Sequence, residues 1–135
     1  MGLRILLRSF HTPELKELAD VLKAAAETTM KEMVGVTVEV DIQEQYRNMA
    51  EYLAKEPRAV SLAEKAYQKV GMESVFKSIR GGTDGSRLSE LGLPTPNLST
   101  GMHNFHCEAE FACLDEMETA VSVLLELATL WSAER

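Results

Sequence analysis

A chain of 135 residues, 45% hydrophobic and 26% charged, is long enough to bury one core and too short for two large ones. Its formal charge of -7, from 21 acidic against 14 basic side chains, leaves no basic stripe for a phosphate backbone, so nucleic acid is not expected as a partner. No apolar run approaches the roughly 18 residues of a membrane-spanning helix, and two cysteines without a leader pattern point to free thiols in a reducing cytoplasm.

The first residues enter a strand pattern almost at once, with Leu3, Ile5 and Leu7 set against Arg4 and Arg8, and a strand is expected over about 3–9. A start with so little lead-in is expected of the later part of a longer protein. Thr12 followed by Pro13 is a helix-start signal, and Leu15, Leu18, Leu22, Ala25 and Met33 follow at helical spacing, which predicts a helix over about 13–32. Val36, Val38, Val40 and Ile42 then alternate with Thr37, Glu39, Asp41 and Gln43, predicting a strand over about 36–43 with one face on a core. Strand, helix and strand make one half-unit, residues 1–48. From Glu44 to Pro57 the period breaks, with room for a short helical turn, and a second unit, 49–135, is expected beyond it.

In that second unit Leu62, Ala63, Ala66, Tyr67 and Val70 share a helical face and Gly71 supplies a left-handed stop, giving a helix over about 58–70. A strand is expected over 72–79. Arg80-Gly81-Gly82-Thr83-Asp84-Gly85 is a glycine-rich turn into a short helix over about 86–91, with Asp84 as its cap and Gly92 and Pro94 closing it. A short strand over 97–100 leads into a loop, 101–111, dense in His, Cys and Glu. Asp115 and Glu118 have capping-box spacing, and Met117, Val121, Leu124, Leu125, Ala128 and Trp131 form the stripe of a helix over about 115–133. The fold class expected is α/β.

Two places carry chemistry. His106 lies on a loop after a strand, where α/β proteins place ligands, and a neutral imidazole beside carboxylates suits zinc. The competing reading is a loop histidine bonded to backbone, and a self-contained set from His103, His106, Cys107 and Cys113 is a further alternative. The glycines after Arg80 allow backbone N–H groups and a guanidinium to face an anion, against the plainer reading that the glycines serve positive φ in an ordinary turn. The turn lacks both nucleotide-binding glycine patterns, so no nucleotide is expected.

The runs Ile79-Arg80-Gly81-Gly82-Thr83-Asp84-Gly85-Ser86, Gly92-Leu93-Pro94-Thr95-Pro96-Asn97-Leu98, and Gly101 with Asn104-Phe105-His106 and Glu110-Phe111 resemble the closing segment of the peptidase T family in the M20 metallopeptidase clan. Leu6-Leu7-Arg8-Ser9-Phe10 and Gln45-Tyr46-Arg47-Asn48-Met49 are similar to that family's lid strand and its return to the catalytic domain. The resemblance implies a cytoplasmic di-zinc aminopeptidase acting on tripeptides. It implies half of a ferredoxin-like lid (β-α-β), which also mediates dimerisation, followed by the C-terminal α/β part of a zinc-peptidase catalytic domain. By the same resemblance His106 is one zinc ligand, and Arg80, Gly81, Gly82, Thr83 and Asn104 face the peptide substrate; His103 has no matching role. Met102 and Cys107 stand where the family often has glycine or another small residue. The family's His-x-Asp motif and Glu-Glu pair, which carry other ligands and the general base, do not occur in these 135 residues. The chain alone is therefore expected to be an inactive C-terminal portion, without a catalytic residue of its own. The alternative is a non-catalytic module that keeps the half-lid as a self-association surface, since unpaired strand edges there are templates for a second copy.

Overall fold

The computed structural model describes residues 1–79 and 81–134. In chain order they form α1 (Thr12–Glu32), α2 (Ala50–Leu53), α3 (Arg58–Lys69), α4 (Asp84–Glu90), β1 (Met102–His103), β2 (Phe111–Ala112) and α5 (Leu114–Ala133). Chain contacts divide them into two units, Met1–Asn48 with Ile79–Gly82, and Met49–Ser78 with Thr83–Arg135.

The first unit is built on α1. The helix begins at Thr12, not after it, with Pro13 in its opening turn and His11 in the cap position without a side-chain cap bond. Ser9 does the fastening instead: its hydroxyl donates to the Glu14 carboxylate and accepts from the His11 N–H at 3.0 Å. Ala19 is buried, Leu15 and Leu22 are half-buried, and Leu18 and Ala25 are exposed, so the expected stripe is covered on one side only. Asn48 returns to the start of the unit, its Nδ2 donating to the Phe10 carbonyl at 2.8 Å.

The segments 3–9 and 36–43, expected as strands, carry no ladder among the described residues, and neither do 72–79 and 97–100. Alternation fixes which face of an extended segment is apolar, but a strand exists only through a partner that takes its N–H and C=O groups. Here those partners are missing or replaced: the Ser99 N–H, for one, bonds the Tyr67 hydroxyl at 3.1 Å. Leu3 stays 79% exposed, and Ile5, Val36, Val40 and Ile42 are exposed with it. The α/β expectation thus becomes a helix-dominated chain with one two-stranded antiparallel ribbon, Met102 opposite Ala112 and His103 opposite Phe111. Among the described residues the ladder that half of a ferredoxin-like lid needs is not formed.

The second unit has the core. Ala59, Leu62, Ala63 and Ala66 recur at i, i+3, i+4 and i+7 on α3 and are all buried, and α3 packs along α5 around Val123. Small residues on α3 allow this close approach, with Leu62 as the one large side chain sealed in. The buried line of α5 is not the stripe expected from the sequence. Val123 is buried with Ala120, Leu127 and Leu130 half-buried, while Met117, Val121, Leu124, Leu125 and Ala128 are exposed. A helix apolar nearly all round offers two candidate faces, and the small-residue face of α3 selects the Val123 side. At the end of this contact the Arg58 guanidinium lies over the Trp131 ring, 5.4 Å from its centroid, and bonds both carboxylate oxygens of Glu56. Those bonds hold the Glu56 carboxyl below the usual carboxylate range.

Helix ends follow glycine. After α3 the Met72 N–H bonds Tyr67 O at 2.9 Å and the Gly71 N–H bonds Gln68 O at 3.0 Å, with Gly71 at φ +78°. After α4 the Leu93 and Gly92 N–H groups repeat the pattern onto Leu88 O and Ser89 O, with Gly92 at φ +97°. At its start α4 is capped by Thr83, whose hydroxyl accepts from the Ser86 N–H, so Asp84 is the first helical residue and not the cap. The Asp115–Glu118 capping box is likewise not formed. Cys113 takes the cap position of α5, donating its N–H to Gly101 O and accepting from the Met117 N–H, and Asp115 and Glu116 fall in the first turn, where acidic charge suits the helix dipole. No helix of the described residues is long and apolar enough to cross a membrane.

Burial of one large side chain between two helices makes a sharp stability prediction. Leu62→Ala, at a residue 2% exposed, is expected to lower the unfolding free energy by about 2 to 4 kcal/mol. Leu125→Ala, at a residue 66% exposed, should change it by less than about 0.5 kcal/mol. Urea titration of the two variants checks this contrast.

Candidate functional site

The loop that holds most of the polar chemistry is the turn of a hairpin. β1 and β2 close it at the base, so the expected loop over 101–111 is a ribbon at its ends and irregular only over 104–110. Within that turn Asn104 sits at φ 55° and His106 at φ 62°, both left-handed. Asn and His enter this region more readily than most residues, and each still needs help from its surroundings. The help comes from the loop itself. Cys107 N–H bonds Asn104 O at 3.2 Å, and Glu110 N–H bonds Cys107 O at 3.0 Å. The Asn104 side chain donates to Ala109 O at 3.1 Å, and the Glu110 carboxylate accepts from the His106 N–H at 2.9 Å. The His106 imidazole projects into solvent and, among the described residues, has no hydrogen-bond partner. The tie that is present runs from the His106 N–H to the Glu110 carboxylate and does not involve the ring.

The base of the hairpin is fixed to α5. Gly101, buried and at φ +73°, lies so close to the helix that a Cβ there would come within 2.7 Å of the Met117 nitrogen and 2.9 Å of the Glu116 carbonyl carbon. Cys113 N–H bonds Gly101 O at 2.8 Å. The His103 ring stacks on Phe111 across the ribbon, with centroids 4.7 Å apart and planes 15° from parallel. His103 Nε2 is 2.6 Å from Glu116 Oε2 on the first turn of α5.

This contact engages Nε2 of His103 with Glu116. Among the described residues no three His, Cys, Asp or Glu side chains gather as a metal group, so the alternative of His103, His106, Cys107 and Cys113 is not formed. His106 fits one ligand position, an exposed unpartnered imidazole on a braced turn, but the described residues do not complete a zinc site. Cys107 and Cys113 are free thiols.

The glycine turn is divided. Arg80 lies outside the described residues. Gly81 and Gly82 belong to the first unit, where a Cβ on Gly82 would overlap the Tyr46 ring, 1.9 Å from its Cζ. Thr83 and Gly85 belong to the second unit, and a Cβ on Gly85 would meet Thr95 O at 2.7 Å. Neither Gly82 nor Gly85 has positive φ, so for these two the plain-turn reading is corrected in its reason: they serve close approach. Of the residues singled out from the sequence, the structure brings Asn104 and His106 into one turn. It also adds Glu110 and Glu116, which sequence reasoning had left unassigned. The four-residue spacing of His106 and Glu110 was the available signal for the first; the thirteen-residue separation of His103 and Glu116 offered none.

With this geometry established, the family model of peptidase family M20/M25/M40 matches residues 8–130. The chain belongs to that family. Among curated relatives, peptidase T of Shewanella sediminis is 38% identical over 133 residues, 98% of this chain and 32% of the relative. Peptidase T of Caldanaerobacter subterraneus subsp. tengcongensis is 40% identical over 126 residues, 93% of this chain and 31% of the relative. Peptidase T of Staphylococcus carnosus is 50% identical over 91 residues, 67% and 22% respectively. These relatives support the resemblance to a C-terminal portion of peptidase T. The chain spans about a third or less of their length.

In this M20 family chain the hairpin depends on the absence of a side chain at residue 101. Gly101→Ala is expected to cost about 1 to 3 kcal/mol, from the positive φ and the overlap with α5. In amide exchange, Cys113, whose N–H bonds Gly101 O, should lose protection more than Gly71 or Met72 at the end of α3.

Proposed function

We propose that this chain is the C-terminal portion of a peptidase T-like zinc aminopeptidase that removes N-terminal residues from tripeptides in the cytoplasm, and that His106 is its contribution to a two-zinc site. The observation that carries the reading is the His106 turn: a left-handed histidine, braced through its own N–H by Glu110, at an exposed position and with no ring hydrogen bond among the described residues. Non-glycine residues held in this region cluster at functional sites, because the surrounding bonds must offset the strain. Bound zinc would lower the pKa of a water and polarise the scissile carbonyl. This chain's part is to hold an imidazole at a fixed position. Arg80, Gly81, Gly82, Thr83 and Asn104 belong in this reading to the substrate-facing wall. The remaining ligands and the general base come from residues outside these 135, and the chain alone is inactive. The exposed second stripe of α5, with Leu124 and Leu125, supports the same account, since a helix apolar on both faces suits the interior of a larger catalytic domain.

The test replaces the matching third of Shewanella sediminis peptidase T by this chain. The hybrid should release N-terminal residues from tripeptides, while the isolated chain releases none. His106→Ala in the hybrid should lower kcat/KM by at least about 100-fold, since removal of a ligand exceeds the usual cost of disturbing its supports. Turnover by the isolated chain, or a His106→Ala hybrid as active as its parent, contradicts the reading.

The second part of the proposal concerns residues 1–48 as half of a ferredoxin-like lid and a homodimer contact. Its support is the pair of unladdered segments with Leu3, Ile5, Val36, Val40 and Ile42 exposed. Two such halves about a two-fold axis would complete a four-stranded sheet and cover those side chains. The same observation favours the second reading, a non-catalytic self-associating module, which the hybrid's activity separates from the first. Sedimentation equilibrium at micromolar concentration should give twice the monomer mass; a monomer with a cooperative melt contradicts self-association in both readings.

A further inference from the structure

We infer that His103 and Glu116 form a positioning clamp that fixes the His106 turn against α5. This rests on the reading of His106 as a metal ligand and adds the part of the chain that aims it. Carboxylate oxygens only accept, so at 2.6 Å the imidazole Nε2–H donates to Glu116 Oε2. His103 is the last residue before the turn on the β1 side, three positions from His106. Its partner Glu116 is on the first turn of α5, next to Met117, against which Gly101 is seated. The two fasteners act at different points. Gly101 fixes how closely the β1 side of the hairpin can approach the helix, and the Cys113–Gly101 bond closes its base. Both hold the base of the ribbon, as does the chain itself where Ala112 of β2 runs through Cys113 into α5. A side-chain link from the far end of β1 to the helix supplies the second point of attachment that a rigid orientation needs.

The stack with Phe111 holds the His103 ring in the plane that makes this bond possible. Phe111 is the cross-strand neighbour of His103, and the near-parallel rings restrict the torsion that would swing Nε2 away from Glu116. Inside the turn, Glu110 binds the His106 N–H and Asn104 binds Ala109 O. These bonds give the turn its shape but connect it to nothing outside residues 104–110. Shape is therefore set within the turn, and aim is set by His103 and Glu116. Both side chains are about half exposed, which makes the clamp a modest one.

Three variants of the full chain separate the roles. His103→Phe keeps a ring to stack on Phe111 and loses the bond; Glu116→Ala loses the acceptor; His103→Gln returns an amide N–H close to the Nε2 position. Amide exchange by NMR should show Cys107, Glu110 and the His106 N–H exchanging about fivefold faster in His103→Phe and Glu116→Ala, the amount expected for a half-exposed side-chain hydrogen bond. Protection in α3 should be unchanged, and His103→Gln should return most of the loss. In the hybrid peptidase the first two variants should lower kcat about fivefold at unchanged KM, again with recovery in His103→Gln. Unchanged exchange over 104–110, or equal loss of protection in α3, overturns the clamp. An inactive His106→Ala hybrid beside a fully active His103→Phe hybrid overturns this inference alone. A fully active His106→Ala hybrid removes the ligand reading and the inference with it.

Discussion

The hairpin can rest on the first turn of α5 only because residue 101 carries no side chain. The contact leaves less than 3 Å between a would-be Cβ and the helix backbone, and most of the site's geometry depends on it. It brings the Gly101 carbonyl to the Cys113 N–H, and Cys113 in turn starts α5. It also puts β1 beside the helix turn bearing Glu116, and residues 104–110 are exposed. A close backbone approach at one end of a ribbon thus sets which side chains are anchored and which one, His106, is left available.

Below this site lies a core made by small residues. Ala59, Ala63 and Ala66 let α3 lie close to α5, so that Leu62 and Val123 are sealed between them. The α3–α5 pair is the firm support on which the hairpin is mounted. Residues 1–48 contrast with it, since α1 buries only Ala19 fully and the extended segments beside it keep their apolar side chains exposed. Those extended segments form no ladder among the described residues.

The sequence made the helices legible because a 3.6-residue period and a glycine stop are local signals; α1, α3 and α5 lie where Leu15, Leu62 and Val121 and their neighbours place them. Their starts were harder. Capping depends on which N–H groups are already engaged: Cys113 displaced Asp115 at α5, and Thr83 displaced Asp84 at α4. The buried face of α5 could not be read from α5 alone, since Val123 and Leu124 are equally apolar and the choice was made by α3. The strands were least legible. Val36, Val38 and Val40 show a perfect alternation, yet alternation carries no information about a partner. At the site, Asn104 and His106 stood out as residue types, but their left-handed backbone and the Glu110 brace became visible only in three dimensions, and the His103–Glu116 bond joins residues with no periodic relation.

On the proposed reading, the turn built from Asn104, His106 and Glu110 delivers one imidazole to a metal held mostly by residues outside this chain. A crystal structure of the zinc-loaded hybrid with the Shewanella sediminis peptidase T N-terminal portion, with data recorded at the zinc edge, tests it most directly. The account predicts a His106 ring nitrogen about 2.0 to 2.1 Å from a zinc ion, with the 104–110 turn unchanged in backbone conformation. A fully occupied zinc site whose ligands all come from the N-terminal portion, with the His106 ring turned to solvent, would contradict it.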